Sequence, residues 1–183
     1  MEKLVRPGGP VRFIGVSNFS PKQMKEVLAA ATIKPKVHQF ELHPYLQQTE
    51  FVEWHEKNGI QVIGYAPLGN TSPYYRSASM ENPSHPPILT SNPTLRAIGK
   101  ERGCSAAQVA LAWNIKRGVV VIPKAAKPEH QTENLDVEKC KLTDEDMKKI
   151  AEISAQYSGR FNNPCKRIKM PCYEGLTNTS GGT

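Results

Sequence analysis

A chain of 183 residues with 38% hydrophobic content has room for one ordinary domain with a sizeable core and hardly for two. Its formal charge of +7 raises nucleic acid as a partner, but Lys and Arg are spread over solvated helix faces and CKRIKM (165–170) is the one dense patch, so an anionic small molecule fits the charge at least as well. No apolar run approaches the ~18 residues that span a bilayer, MEKLVRPGGPVRF carries no apolar signal segment, and Cys104, Cys140, Cys165 and Cys172 make no C-x-x-C or metal-like cluster with His, so the expectation is a cytoplasmic protein with reduced thiols, no metal and no membrane.

Taken in order, Arg12 to Val16 (RFIGV) reads as a buried strand whose carboxyl tip carries Ser17 and Asn18. Ser20 caps a helix opened by Pro21, with Met24, Val27, Leu28 and Ala31 on its core face. Lys36 to Leu42 (KVHQFEL) alternates and reads as a second strand. Gln39 and Glu41 on one face are odd for a core strand and ordinary at a barrel mouth. His43-Pro44-Tyr45 breaks the strand, and a helix runs from Thr49 to Asn58 with Gly59 as its stop. His55 on that helix reads as a half-exposed surface residue.

Ile60 to Tyr65 (IQVIGY) is a third strand, and Tyr65 at its tip is a core plug or a stacking platform. Gly69 to Asn92 is the long irregular stretch, carrying Tyr74, Tyr75 and His85, a lid over a site or a floppy insertion. Helices follow over 93–102 and from Ser105, the second ended by Gly118. Val119 to Ile122 is the fourth strand and runs into Pro123-Lys124, with a polar helix from Glu129 to Asn134. A last helix spans 142–154, capped by Thr143. The half-barrel would occupy 1–160, and 161–183 would be a tail with disordered final residues, a Cys165–Cys172 bridge being the pairing weighed there.

Strand and helix alternate four times, which implies parallel strands with helical crossovers. Four such units make half of a (β/α)8 barrel or a small open sheet. In either, ligands sit at the carboxyl ends of the strands. Lys124 at such an end, with the N–H groups of a helix behind it, favours an anion such as phosphate; the bland alternative is a solvated Lys on a loop.

The strand tips resemble those of the aldo-keto reductases: GVSNF (15–19), HQFELHPYLQQ (38–48), GYAPLG (64–69) and IPKAAKPEHQTEN (122–134), in this order, with FNNP (161–164) similar to the start of that family's C-terminal tail. The resemblance covers about residues 5 to 165. It implies the second half of a (β/α)8 barrel, with Ser17, Asn18 and Gln39 on the nicotinamide carboxamide and Tyr65 stacked on the nicotinamide ring. It also implies Lys124 on the adenosine 2′-phosphate and Glu133 and Asn134 at the adenine end, with Leu68 and His130 in the same cofactor set. Amides suit an amide, an aromatic suits a flat ring and a Lys suits a dianion.

The family's Asp, Tyr, Lys and His tetrad belongs to the first half of its barrel, so the resemblance assigns none of those roles here, and classical carbonyl reduction is doubtful. Ala66 and Ala125 stand where Ser is common, and His130 stands where an Arg commonly grips the 2′-phosphate, so NADP(H) affinity should be weakened. His38 replaces a common Asn. Half a barrel leaves two open strand edges and an uncovered inner face, and a homodimer would cover them. Two other readings stand beside this one. The first is a non-redox isomerase or cyclase on a conjugated carbonyl compound, shuttling protons through Glu41, His43 and Tyr65 at an exposed mouth. The second is a non-catalytic binding subunit.

Overall fold

The computed structural model describes residues 1–71 and 86–162. The expectations for Tyr74, Tyr75 and His85, for a Cys165–Cys172 bridge and for a disordered tail concern residues outside that set. The sheet has four strands in sequence order, β1 (Gly15–Ser17), β2 (Val37–Glu41), β3 (Gln61–Tyr65) and β4 (Val120–Val121), every pairing parallel. Each edge strand is shorter than its apolar run, because only the residues facing a neighbour extend the ladder. Helix α1 (Pro21–Ala30) joins β1 to β2, and α2 (Thr49–Lys57) joins β2 to β3. Between β3 and β4 lie α3 (Pro93–Arg102) and α4 (Ala106–Lys116). After β4 come α5 (Pro128–Leu135), a 3-10 turn (Asp136–Lys139), α6 (Asp144–Ala151) and α7 (Ile153–Gln156).

Local chemistry starts the helices where the sequence places them. Ser20, Ser105 and Thr143 each accept from the backbone N–H three residues on, and Gln23, Gln108 and Asp146 return the bond to the cap. Asn92 accepts from the Thr94 and Leu95 N–H groups at the start of α3. Arg102 on α3 grips Asp146 at 2.7 and 3.2 Å, fastening α6 to α3 and holding that carboxyl at about 2.

One face of the sheet is closed by helices. Phe40 and Val62 pack there with Met24, Leu42, Phe51, Val52, Ile60 and Val119. A side chain at Gly64 would come within 3.1 Å of Leu42 and 3.2 Å of Val119, so this position on β3 has to be small. A second cluster, around Tyr45, Leu95, Ile98, Trp113 and Ile150, joins α3, α4 and α6. The other sheet face is open: Phe13 is 64% exposed, Val120 46% and Ile122 45%. Among the described residues no helix is long and apolar enough to cross a membrane, and no group of three or more His, Cys, Asp or Glu is placed to hold a metal.

Three sequence expectations need correction. His55 is fully buried, not half-exposed. The Phe19 N–H donates to His38 Nε2 at 3.1 Å, which leaves the proton on His38 Nδ1. That proton points at His55 Nε2 at 2.7 Å, and His55 Nδ1 in turn faces the Phe51 carbonyl at 2.6 Å. Each ring has one donor and one acceptor role, so both are neutral. Burial, with the neighbouring ring second, pushes His38 down to about 3, and burial also lowers His55.

Glu41 and His43 are also fully buried, as is the neighbouring Tyr45, and so do not share an exposed mouth with Tyr65. His43 Nε2 lies 2.8 Å from Glu41, and the Glu41 carboxylate accepts from the Phe161 and Asn162 N–H groups at 2.7 and 3.0 Å. The returning chain at 159–162 therefore covers the end of β2, with Phe161 tilted over the His43 ring. Finally, Cys104 and Cys140 are joined in a disulfide rather than kept as free thiols, their Cα atoms 5.5 Å apart.

Candidate functional site

A cavity of about 1080 Å³ opens beyond the carboxyl ends of β3 and β4. One wall begins at Tyr65, the last residue of β3. The chain then turns through Ala66 at φ 46°, and Pro67, Leu68 and Gly69 continue the wall. Gly69 has φ 57°, a left-handed conformation that glycine adopts without strain. The opposite wall is Ile122 to Lys127, followed by His130, Glu133 and Asn134 of α5. The floor between them includes Ser105, Ala106 and Ala107, whose small side chains leave room at the start of α4.

The sequence-predicted residues fall into three groups. Tyr65, Leu68, Lys124, His130, Glu133 and Asn134 line the cavity together. Ser17, Asn18 and Gln39 are outside the lining but join it through Tyr65. The Tyr65 hydroxyl donates to Asn18 Oδ1 at 3.0 Å, the Asn18 N–H donates to the Gln39 carbonyl at 2.9 Å, and Ser17 pairs with Gln39 across the β1–β2 ladder. The Tyr65 and Asn18 side chains therefore meet, and the backbone places Ser17 and Gln39 beside Asn18 on the two adjacent strands. Glu41 and His43 form the third group, sealed under residues 159–162 and absent from the cavity wall.

The two walls are charged differently. Lys124, Lys127 and His130 give the β4–α5 wall cationic or donor groups, and Glu133 adds one carboxylate beside Asn134. The first turn of α5 has no side-chain cap, so part of its backbone donor set is left to solvent or ligand. A flat amide-bearing ring is matched at the Asn18–Tyr65 corner, and an anion is matched at Lys124. Sequence reasoning missed Gln108. Its buried amide crosses from α4 and donates to the Glu133 and Asp136 carbonyls at 2.9 and 3.2 Å, holding α5 in place. Its sequence signal was its place three residues after the cap Ser105, which reads as a helix start and nothing more.

The chain matches the Aldo/keto reductase family over residues 1–155. It is 44% identical over 156 residues to "Aldo/keto reductase slr0942" of Synechocystis, covering 84% of this chain and 46% of that protein. It is 36% identical over 173 residues to "NAD(P)H-dependent D-xylose reductase I,II" of Candida tropicalis, covering 94% of this chain and 52% of that one. Among solved structures it resembles the Bombyx mori aldo-keto reductase AKR2E5 complexed with NADPH, with a TM-score of 0.82 at 30% identity over 100% of this chain and 53% of the other. The aldose reductase of Giardia lamblia gives a TM-score of 0.79 at 33% identity, over 93% of this chain and 53% of that one. The chain spans about half the length of the curated relatives it matches, and its four parallel strands correspond to half of their (β/α)8 barrel. By sequence and by fold, this chain belongs to the aldo/keto reductase family.

Proposed function

We propose that the cavity is a nicotinamide dinucleotide site with a preference for NADP(H), forming the cofactor half of a carbonyl reductase. One observation carries the reading: Tyr65, whose hydroxyl donates to Asn18 Oδ1 at 3.0 Å, lines the same hollow as Lys124 and His130. Its volume of about 1080 Å³ suits an extended dinucleotide rather than a small metabolite. In this reading Tyr65 stacks on the nicotinamide, and Ser17, Asn18 and Gln39 bond its carboxamide. Leu68 packs along the cofactor, Lys124 and His130 meet the 2′-phosphate, and Glu133 and Asn134 contact the adenine end.

The bound cofactor supplies a hydride for a carbonyl carbon. The residues of this chain hold its plane and exclude water from one face. Among the described residues, neither Tyr65 nor His43 is placed to protonate the developing alkoxide, because the Tyr65 hydroxyl donates to Asn18 and His43 lies buried with Glu41. A proton donor therefore comes from outside this set, and without one the chemical step loses ~10²–10⁴-fold.

The exposed Phe13, Val120 and Ile122 and the open edges of β1 and β4 support a second copy as the cover of the inner sheet face. Light scattering after size exclusion should give twice the 20.3 kDa chain mass, and a clean monomer at micromolar concentration removes the homodimer. The burial of Glu41 and His43 weighs against a non-redox isomerase or cyclase using them.

The cofactor reading is tested by nicotinamide fluorescence. NADPH should bind with a Kd below about 100 µM, roughly −5.5 kcal/mol, and Tyr65→Ala should abolish that binding. No binding at millimolar NADPH rejects it.

A further inference from the structure

Cys104 and Cys140 stand 36 residues apart in sequence, yet they are bonded, and each adjoins a different element that lines the cavity. Cys104 immediately precedes Ser105, which caps α4 and lines the cavity with Ala106 and Ala107. Cys140 ends the 3-10 turn (Asp136–Lys139) that continues α5, the helix presenting His130, Glu133 and Asn134. Helix α5 buries no residue of its own, so packing alone holds it weakly. The Gln108 amide ties it to α4 through the Glu133 and Asp136 carbonyls, and the disulfide is a second tie at the same seam. Cys140 is 4% exposed, whereas Cys104 is partly open to solvent, so a thiol reagent enters at Cys104.

We infer that Cys104–Cys140 is a reversible thiol–disulfide modification site that sets the rigidity of the α5 wall. The oxidant is a low-molecular-weight disulfide such as glutathione disulfide, and the reductant is the corresponding thiol. The Cys104 thiolate attacks one sulfur of the oxidant, forming a mixed disulfide and expelling one thiolate. The Cys140 thiolate then attacks the Cys104 sulfur and expels the second. Two protein thiols are oxidised, one small disulfide is reduced to two thiols, and the two protein protons pass to the expelled thiolates. Oxidation clamps α5 against α4, and reduction leaves the Gln108 bonds and the packing of Val137 on the core. The consequence for ligand affinity rests on the cofactor reading above; the modification itself does not.

The test uses the full chain carrying Cys165→Ser and Cys172→Ser, so that only the pair can respond. It is equilibrated across a series of glutathione ratios, quenched by alkylation and weighed. The two cysteines should convert together within that series. Amide exchange over 128–139 should be at least several-fold faster in the reduced form, with β2 and β3 unchanged. NADPH affinity should then differ between the two forms by about fivefold or more. Cysteines that never pair, that stay paired under full reduction, or whose reduction leaves exchange over 128–139 unaltered overturn the inference. So does loss of protection throughout β2 and β3, which would make the bridge a staple of the whole fold. If the pair titrates and exchange responds while neither form binds NADPH, the cofactor reading fails and the modification site stands. If both forms bind NADPH equally and exchange is unchanged, the reverse holds.

Discussion

The two ends of the cavity are built by different means. At the Tyr65 end, Ser17, Gln39 and Tyr65 sit on strands of the sheet, with Asn18 just past β1, and their positions are set by ladder hydrogen bonds and by a closed core beneath. At the Lys124 end, the contacting groups ride on a loop and on α5, which is polar, buries nothing and is held by Gln108 and one disulfide. A ring needs a fixed plane, and a rigid sheet gives one. A phosphate needs charge more than exact placement, and a mobile cation on a loop suffices. The first end should be sensitive to core substitutions and the second to charge substitutions.

The largest contrast is in stability. Phe40→Ala, beneath the Tyr65 corner, should cost about 3–5 kcal/mol in chemical denaturation, whereas Leu135→Ala on α5, 84% exposed, should stay within about 0.5 kcal/mol. Equal losses would mean that α5 packs as firmly as the sheet.

Acid should separate the ends next. His38 has a folded pKa of about 3 against 6.5 when free, and His55 is lowered as well, so the unfolded chain binds more protons than the folded one between those values. Their contribution is fully present above pH 6.5 and is lost as pH falls toward 3. Unfolding at pH 7 and pH 4.5 should show lower stability at the acid pH, and His38→Asn should shrink the difference. A pH-independent stability over this range would show that the rings are not buried neutral.

In binding, Lys124→Ala should weaken NADPH by about 1.5–3 kcal/mol and leave NADH almost unchanged, because only the former carries the 2′-phosphate. An equal loss for both would move Lys124 to another part of the ligand. The smallest effect concerns caps. Ser20→Ala should lower stability by about 1 kcal/mol, and Lys127→Ala at the uncapped start of α5 should change it little.

Much of this architecture is readable along the chain, because strand tips, caps and helix starts are local signals. GVSNF, HQFEL, GYAPLG and IPK each mark a strand end to within one residue of where the sheet ends it, and Ser20, Asn92, Ser105 and Thr143 cap the helices. What sequence reading lost depends on distant partners. His55 reads as a surface residue until His38, 17 positions away on β2, takes its ring. Glu41 and His43 read as an open acid–base pair until residues 161 and 162, more than a hundred positions on, close over them. The Cys104–Cys140 pair is invisible for the same reason, since no spacing rule links the start of α4 to the turn after α5.

The central claim is that both ends of the cavity serve one ligand, and backbone amide chemical shifts on titration with NADPH test it most directly. The account requires concerted shifts at Ser17, Asn18, Gln39 and Tyr65 and over 124–134, saturating together at one stoichiometric equivalent. Shifts confined to one end, or none at millimolar NADPH, would contradict it.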